Sequence, residues 1–374
     1  MIFDNQIFAW QQKGGISRYF FELISRLQND SDVEVELPFS YSRNEYLKKA
    51  PHPLRRWSLF DRRYFKGQWL LEWPWMRWSR QLNNRALSQQ DYHILHPTYY
   101  DPYFLDLIGD RPFVVTVHDM IHELHPECFS AKIAEHERAC KRQTVERAAH
   151  VIAISACTKK DLLRFIDVPE QKISVVYHGF PNHWNQLPDA AEKHLPYILF
   201  VGRREAYKGF HTLFEALAPL LKTFDLELIC VGGEAFSSKE KARFKAHGLT
   251  TRVKQVNVTD TELKNLYTQA ELFVFPSRYE GFGLPVLEAF ACDCPVALSD
   301  TPCFREVAED AAAYFDSNDP CSIRSVVEGL LRDSEWRGRL VDRGRKRKKK
   351  FSWEKCLQQT KSIYQNVLQS DPVV

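Results

Sequence analysis

The stretch FVFPSRYEGFGLPVLEAFACDCPVALSD, residues 273–300, carries two glutamates, Glu280 and Glu288, on either side of a glycine-rich turn. It opens and closes on short apolar runs of strand length. Between them Gly281, Gly283 and Pro285 lead into a helical pattern, PVLEAFACD. Strand, helix and strand in such close succession is the unit from which parallel sheets are built. Proline suits the first turn of a helix, where its missing N–H would go unpaired anyway. Glycines let backbone approach a ligand without a Cβ in the way. A helix start offers free N–H groups and a positive dipole end, a natural seat for phosphate. Glu288, three residues beyond Pro285, is expected on the first helical turn, where its two oxygens suit a ribose diol. An acidic residue there would also stabilise the dipole with no ligand at all. Glu280 has no such alternative, since it sits between a strand end and a glycine with no helix to cap.

The same alternation extends outward. FVVTVHD (113–119), HVIAIS (150–155), KISVVYHG (172–179), YILFVGR (197–203), LELICVGG (226–233), ELFVFPS (271–277) and CPVALSD (294–300) read as buried strands. Amphipathic segments such as GFHTLFEALAPLLKTF (209–224) and TDTELKNLYTQA (259–270) read as the helices between them. A chain of 374 residues exceeds the ~250–300 at which one core stops growing, so two domains are expected. The polar, proline-bearing FPNHWNQLPDAAEKHLP (180–196) breaks the alternation and reads as the linker. The fold class is therefore α/β: two Rossmann-like parallel-sheet domains, 1–182 and 183–350, facing across a cleft. Ligands of such sheets bind beyond the carboxyl ends of the strands. His118, Arg203, Gly232, Gly233 and Glu280 all follow strand ends.

A second element, VGRREAYKGFHTLFEAL (201–217), places Arg203 and Lys208 on a strand-to-helix loop with Gly209 at the helix entry. Two cations there can neutralise a pyrophosphate without a metal, through charge-assisted hydrogen bonds of ~1.5–3 kcal/mol each. A third, QQKGGISRYFFELISRL (11–27), follows a short strand and opens a helix at Gly14–Gly15. A tight structural turn would explain that glycine pair equally well.

Composition narrows the field. Net charge is +3, too small to point to nucleic acid. Nine cysteines without a C-x-x-C pair suggest reduced thiols rather than a disulfide framework or a zinc site. No apolar run approaches the ~20 residues of a membrane span, and the N-terminus lacks a secretory pattern. A cytoplasmic protein is expected. NDSD (29–32) contains a D-x-D, but in a polar loop after a helix, so no metal role is assigned to it. Residues 46–85 are basic and hold Trp57, Trp69, Trp73, Trp75 and Trp78; core packing, an acceptor groove and a membrane-interface patch all fit. RGRKRKKK (343–350) reads as a solvated helix face.

Taken together, these motifs resemble retaining glycosyltransferases of family 4, which have the GT-B fold. PSRYEGFGLPVLEAFACDCPVALSD matches the family's E-x7-E signature and VGRREAYKGFHTLFEAL its diphosphate loop. GGISRY, VTVHDMIHELHPE, VIAISACTKKDLL and ISVVYHGF look like its N-terminal landmarks, and FSWEKCLQQTKSIY (351–364) like its closing helix. The resemblance runs from residue 1 to about 364 and implies that residues 351–374 return to the N-terminal domain. It further implies that Glu280 meets the donor sugar beside the Gly283–Leu284 backbone and that Glu288 holds the ribose. Arg203 and Lys208 would bind the diphosphate, the Gly14–Gly15 loop would close over phosphates and sugar, and His118 would touch the reacting centre. Val258 would contact the base. Asp293 and Glu309 stand where the family commonly has glycine, and Asn257 where it has glycine or an aromatic.

The implied activity is metal-independent, retaining transfer from a nucleoside-diphosphate sugar, with GDP-mannose preferred, and no separate cofactor. The implied acceptor is a glycan or lipid-linked glycan of a cell-surface polysaccharide pathway, handled by the N-terminal half at the inner membrane face. Another GT-B enzyme (a phosphorylase or a nucleotide-sugar epimerase) and a non-catalytic sugar-binding scaffold are the alternatives. A dinucleotide oxidoreductase is disfavoured, because no G-x-G-x-x-G follows the first strand.

Overall fold

The computed structural model describes residues 1–51, 53–59, 67–180 and 195–370, with the backbone alone of Trp69. The expected linker at 180–196 lies almost wholly outside these residues. The chain divides into two compact units, one of residues 1–178 together with the stretch from Trp353 onward, the other spanning Gly179–Ser352.

In the first unit β1 (Ile2–Phe3) pairs in parallel with β2 (Leu95–His96). Next come β3 (Val114–Val117), β4 (His150–Ala153) and β5 (Ile173–Val175), a parallel sheet in that order. A single bridge from Leu95 to Phe113 ties the two pieces together. The Gly15–Gln28 helix covers one face with Tyr19, Phe20, Leu23, Ile24 and Leu27, an apolar stripe at helical spacing. The Trp353–Ser370 helix completes that core with Trp353, Cys356, Ile363, Tyr364 and Val367. Gly14–Gly15 does not directly follow the first strand, because the Gln6–Trp10 helix lies between them.

The second unit is one parallel sheet of β6 (Tyr197–Val201), β7 (Glu227–Val231), β8 (Val253–Val256), β9 (Leu272–Phe275), β10 (Val296–Ser299) and β11 (Ala313–Phe315). Its spatial order is β8-β7-β6-β9-β10-β11. Counted within the unit, this is the doubly wound order 3-2-1-4-5-6, whose direction of winding reverses between β6 and β9. Burial from both faces explains why these strands read as continuous apolar runs. The Phe210–Thr223 helix buries Phe210, Leu213, Phe214, Leu217 and Leu221 against Ile198, Phe200 and Leu228.

Two details correct the sequence reading of this unit. The helix that contains Pro285 starts one residue earlier, at Leu284, and Glu288 falls in its second turn, buried rather than facing the dipole end. The basic run ends the Ser334–Lys348 helix but is not simply solvated. Arg345 grips both carboxylate oxygens of Asp293, at 2.8 and 3.0 Å. Arg347 pairs with Glu309 at 2.7 Å and donates to the carbonyls of Val307 and Glu306. Asp293 and Glu309, the two positions that resemble family glycines, both have positive φ, at 55° and 47°. An arginine thus holds each side chain at a left-handed position that glycine would adopt freely. No helix among the described residues is long and apolar enough to cross a membrane.

Candidate active site

The reversal between β6 and β9 leaves the two loops that follow these strands side by side. Gly209 sits at φ +69°, and a Cβ there would collide with the Pro276 carbonyl oxygen, so the loops approach as closely as backbone permits. Arg278 N–H donates to Tyr207 O at 2.8 Å and stitches them. This places Lys208, from the β6 loop, against Glu280, from the β9 loop. Their Nζ–Oε1 distance is 2.5 Å and each side chain is 15% exposed. The Lys208 ammonium also lies 5.0 Å from the Tyr207 ring centroid and 5.6 Å from that of Phe275. The pair therefore sits in a partly dry, aromatic-walled setting where charge interactions outweigh their value in water.

Beside Glu280 the chain turns at Gly283, whose φ of +95° makes it the cap of the Leu284–Ala291 helix. A Cβ on Gly283 would press on Phe304 at 2.9 Å, so both conformation and packing require glycine. One turn further, Glu288 is buried and accepts a hydrogen bond from the Tyr267 hydroxyl at 3.3 Å. Burial, with the Glu288 charge behind it, holds the Tyr267 phenol well above its ordinary pKa, so it stays a donor. Val258 is half-buried just ahead of Thr259, which caps the Asp260–Gln269 helix in a reciprocal box with Glu262.

The neighbouring arginines Arg203 and Arg204 separate sharply. Arg203 is 74% exposed and only loosely paired with Glu205, at 3.4 Å. Arg204 is buried against Glu240 at 2.8 Å, with its guanidinium 4.6 Å from the Phe236 ring centroid, and donates to the Gly232 and Glu234 carbonyls. Arg204 thus braces the loop after β7, while Arg203 remains available to an anion.

Gly14, Gly15 and His118 belong to the first unit. Gly14 is extended, at φ −177°, and caps the Gly15–Gln28 helix; a Cβ on Gly15 would meet nothing within 4 Å. Neither backbone strain nor packing against the protein requires glycine at 15. His118 follows β3 in a buried aromatic nest, 5.1 Å from the Tyr19 ring edge-on and 5.9 Å from the stacked His178 ring. Its backbone N–H donates to the Tyr100 hydroxyl at 2.9 Å. Its Nε2 is buried and has no hydrogen-bond partner among the described residues. Burial, aided by the charges of His178, His96 and Lys141, pushes its pKa well below the usual histidine range. It is therefore a neutral imidazole at physiological pH, able to hydrogen-bond but not to attract by charge.

Among the described residues no group of three or more His, Cys, Asp or Glu side chains is arranged to hold a metal. The D-x-D carboxylates are engaged elsewhere: Asp30 pairs with Lys361, and Asp32 lies 3.7 Å from the same ammonium. All nine cysteines are free thiols.

Comparison with known proteins gives this geometry a context. Residues 13–182 match the family model described as Glycosyltransferase Family 4, and residues 185–347 match the one described as Glycosyl transferases group 1. The chain belongs to glycosyltransferase family 4. Among this transferase's relatives is the O-antigen chain mannosyltransferase B of Escherichia coli, 27% identical over 94% of this chain and 95% of that protein. The O-antigen chain mannosyltransferase RfbU of Salmonella typhimurium is 30% identical over 59% of this chain and 61% of its own. Among solved structures, Anabaena HepE in complex with UDP and glucose superposes with a TM-score of 0.75 at 17% identity, covering 97% of this chain and 98% of that one. That likeness shows a shared GT-B fold.

Three features around the candidate residues give no signal in the sequence. Tyr267 gives no signal, being one apolar position of an amphipathic helix. Arg204 is masked by its neighbour Arg203. The partners of His118 (Tyr19, His178 and the more distant His96) come from three separate segments, and only the fold brings them together.

Proposed function

We propose that this glycosyltransferase moves mannose from GDP-mannose to a glycan acceptor of cell-surface polysaccharide synthesis, with retention at the anomeric carbon. The Lys208–Glu280 pair at the strand-order reversal, beside the Gly283–Leu284 helix start, carries the reading. A sugar diphosphate seated there meets Lys208, Arg203 and the helix N–H groups through its phosphates, and Glu280 through the hydroxyls of its sugar. Glu288 takes the ribose diol, and the Val258 backbone meets the base. Bond breaking transfers charge to the diphosphate, and these fixed cations stabilise it where it develops. Attack from the same face lets a departing phosphate oxygen take the proton of the acceptor hydroxyl. His118, neutral through Nε2, hydrogen-bonds a sugar hydroxyl, and the Gly14–Gly15 backbone closes over the phosphates. Neutralisation by the protein's own cations makes a divalent ion unnecessary.

The mannosyl assignment is supported by the O-antigen mannosyltransferases among the relatives. The acceptor is lipid-linked. Trp73, Trp75 and Trp78 stand exposed on the Gln68–Gln89 helix with Leu70 and Leu71, among the exposed arginines Arg77 and Arg80. Such a mixture of indoles and cations suits an anionic membrane surface. Incubation with GDP-mannose and a lipid-linked glycan extract, followed by NMR of the new linkage, tests the whole. An α-mannosyl product formed equally well with a chelator present is expected. An inverted linkage, or turnover only with a divalent ion, contradicts it.

A further inference from the structure

The first unit contains a cavity of about 580 Å³ that the donor-binding groups do not use. Its walls come from residues after β1 and β2, from the Gln68–Gln89 helix and from the Ala131–Arg147 helix. We propose that this cavity binds the neutral sugar end of the acceptor, with Trp10 as its stacking platform. The proposal rests on the reading above that the acceptor is a glycan.

The lining is that of a carbohydrate site. Trp10 is 64% exposed, yet its ring is braced against Tyr99 with centroids 4.9 Å apart. An indole kept in solvent but held in place offers a flat apolar surface at small entropic cost, suited to the C–H face of a pyranose. Around it stand hydrogen-bonding groups of both signs. Glu137 is buried and steadied by the Tyr99 hydroxyl at 3.2 Å, and Asp101 is exposed. Arg77 lies 5.3 Å from the Trp73 ring centroid and Arg80 lies 5.2 Å from that of Tyr103. Carboxylates accept from sugar hydroxyls, and guanidinium groups donate to them. With carboxylates and guanidinium groups in one lining, a neutral sugar finds both acceptors and donors, whereas a uronic acid would bring its charge near the Asp101 and Glu137 carboxylates.

The site is also built, at some expense, from below. Asp4, fully buried at the end of β1, accepts from Thr98 N–H at 2.8 Å, Thr98 Oγ1 at 2.6 Å, Gln6 Nε2 at 2.6 Å and the Tyr103 hydroxyl at 3.2 Å. A buried carboxylate is costly unless so satisfied. Here it fixes Gln6 and Tyr103, both part of the cavity wall. Gln6 in turn accepts from Asp101 N–H at 2.9 Å and donates to Asp101 O at 3.1 Å, which sets the Asp101 carboxylate in position. A cavity of this volume falls within the ~300–1,000 Å³ of small-molecule sites.

The test is calorimetric titration of donor-free protein with neutral methyl oligosaccharides of mannose, glucose, galactose and N-acetylglucosamine, and with a uronic-acid oligosaccharide. GDP is titrated in parallel. At least one neutral glycan is expected to bind, with affinity falling tenfold or more in Trp10→Ala and severalfold in Asp101→Asn, while GDP affinity stays unchanged in both. Trp10 is exposed and Asp101→Asn is isosteric, so both variants are expected to keep the wild-type melting profile. Wild-type glycan affinity in Trp10→Ala, no neutral glycan bound by the wild type, or tighter binding of the uronic-acid glycan overturns the proposal. Failure of GDP to bind beside an intact, Trp10-dependent glycan titration would instead sink the donor assignment and leave this subsite standing.

Discussion

Exchanging Lys208 and Glu280 one at a time is expected to affect nucleotide affinity unequally: the first exchange weakens it and the second does not. The ammonium and carboxylate lie 2.5 Å apart with both side chains 15% exposed. An incoming diphosphate must share an ammonium already committed to Glu280, leaving two of its three N–H donors free. Lys208→Met removes a charge-assisted contact worth ~1.5–3 kcal/mol, so GDP should bind roughly 10–100-fold more weakly. Glu280→Gln keeps the side-chain shape but removes a negative charge near the phosphates. Two like charges about 5 Å apart repel by about 3 kcal/mol at an effective dielectric constant near 20. GDP should therefore bind Glu280→Gln as tightly as wild type or several times more tightly, while transfer falls by at least a hundredfold because the sugar loses its positioning carboxylate. Calorimetry with GDP and UDP, together with initial rates on GDP-mannose, measures both quantities. The nucleotide that wild type binds more tightly is the reference. Lys208→Met leaves Glu280 partly buried and unpaired, so its melting profile must show a folded protein at the assay temperature. Unchanged affinity in Lys208→Met, or an equal loss in both variants, would refute the idea that this ammonium is shared between carboxylate and phosphate.

Three further outcomes can be checked. Glu288→Gln keeps an acceptor for the Tyr267 hydroxyl but loses the charge offered to the ribose; GDP affinity should drop about tenfold with stability nearly unchanged, and calorimetry beside a urea titration reads both. Glu309 sits at φ 47°, ψ −119°, a conformation suited to glycine; Glu309→Gly should raise stability by about 1 kcal/mol, since strain is relieved at the half-exposed Glu309 while the largely buried Arg347 keeps the Val307 and Glu306 carbonyls as partners, and a lower urea midpoint would contradict this. Burial depresses His96 and His178 to about 3 and holds His118 well below its usual value, so below pH ~6.5 the unfolded chain takes up protons that the fold refuses. Each histidine then costs about 1.4 kcal/mol per pH unit, opposed by Asp4 and Glu36, whose carboxyls burial shifts upward. Urea unfolding of the first unit should weaken steeply from pH 6.5 to 5, and a flat profile would count against buried neutral imidazoles.

Much of the fold was legible because parallel strands covered on both faces must be apolar throughout, and seven such runs fold as strands. The strands that escaped are those where that signal fails. β2 is two residues long, and β8 and β11 are the two edges of their sheet: Lys254 and Gln255 of β8 can face water, and β11 has only three residues. The helix starts one residue before Pro285 because Gly283, at positive φ, already acts as the cap; that puts Glu288 in the second turn, and its burial beside Tyr267 comes from packing that the local pattern does not encode. The glutamate and lysine could each be placed at a strand end from the sequence. Their pairing across 72 residues could not, since it depends on β6 lying next to β9. Nor does local pattern say which of two adjacent arginines is free, because Arg204 is claimed by Glu240, far along the chain.

The histidine nest shows why the end of the chain matters to chemistry near its beginning. Tyr364 bonds His96 Nδ1 at 2.6 Å, and His96 Nε2 lies 2.9 Å from Thr116, which precedes His118 by two residues on β3. Trp353 packs on Tyr19, which in turn lies edge-on to both His118 and His178. These C-terminal rings keep water out, and exclusion of water is the main cause of His118's lowered pKa. An imidazole wetted by their loss would titrate near neutrality and carry a positive charge part of the time. His118 is suited to a sugar hydroxyl because it is neutral and its Nε2 lacks a protein partner among the described residues. Its neutral protonation state thus depends in part on the packing of the Trp353–Ser370 helix.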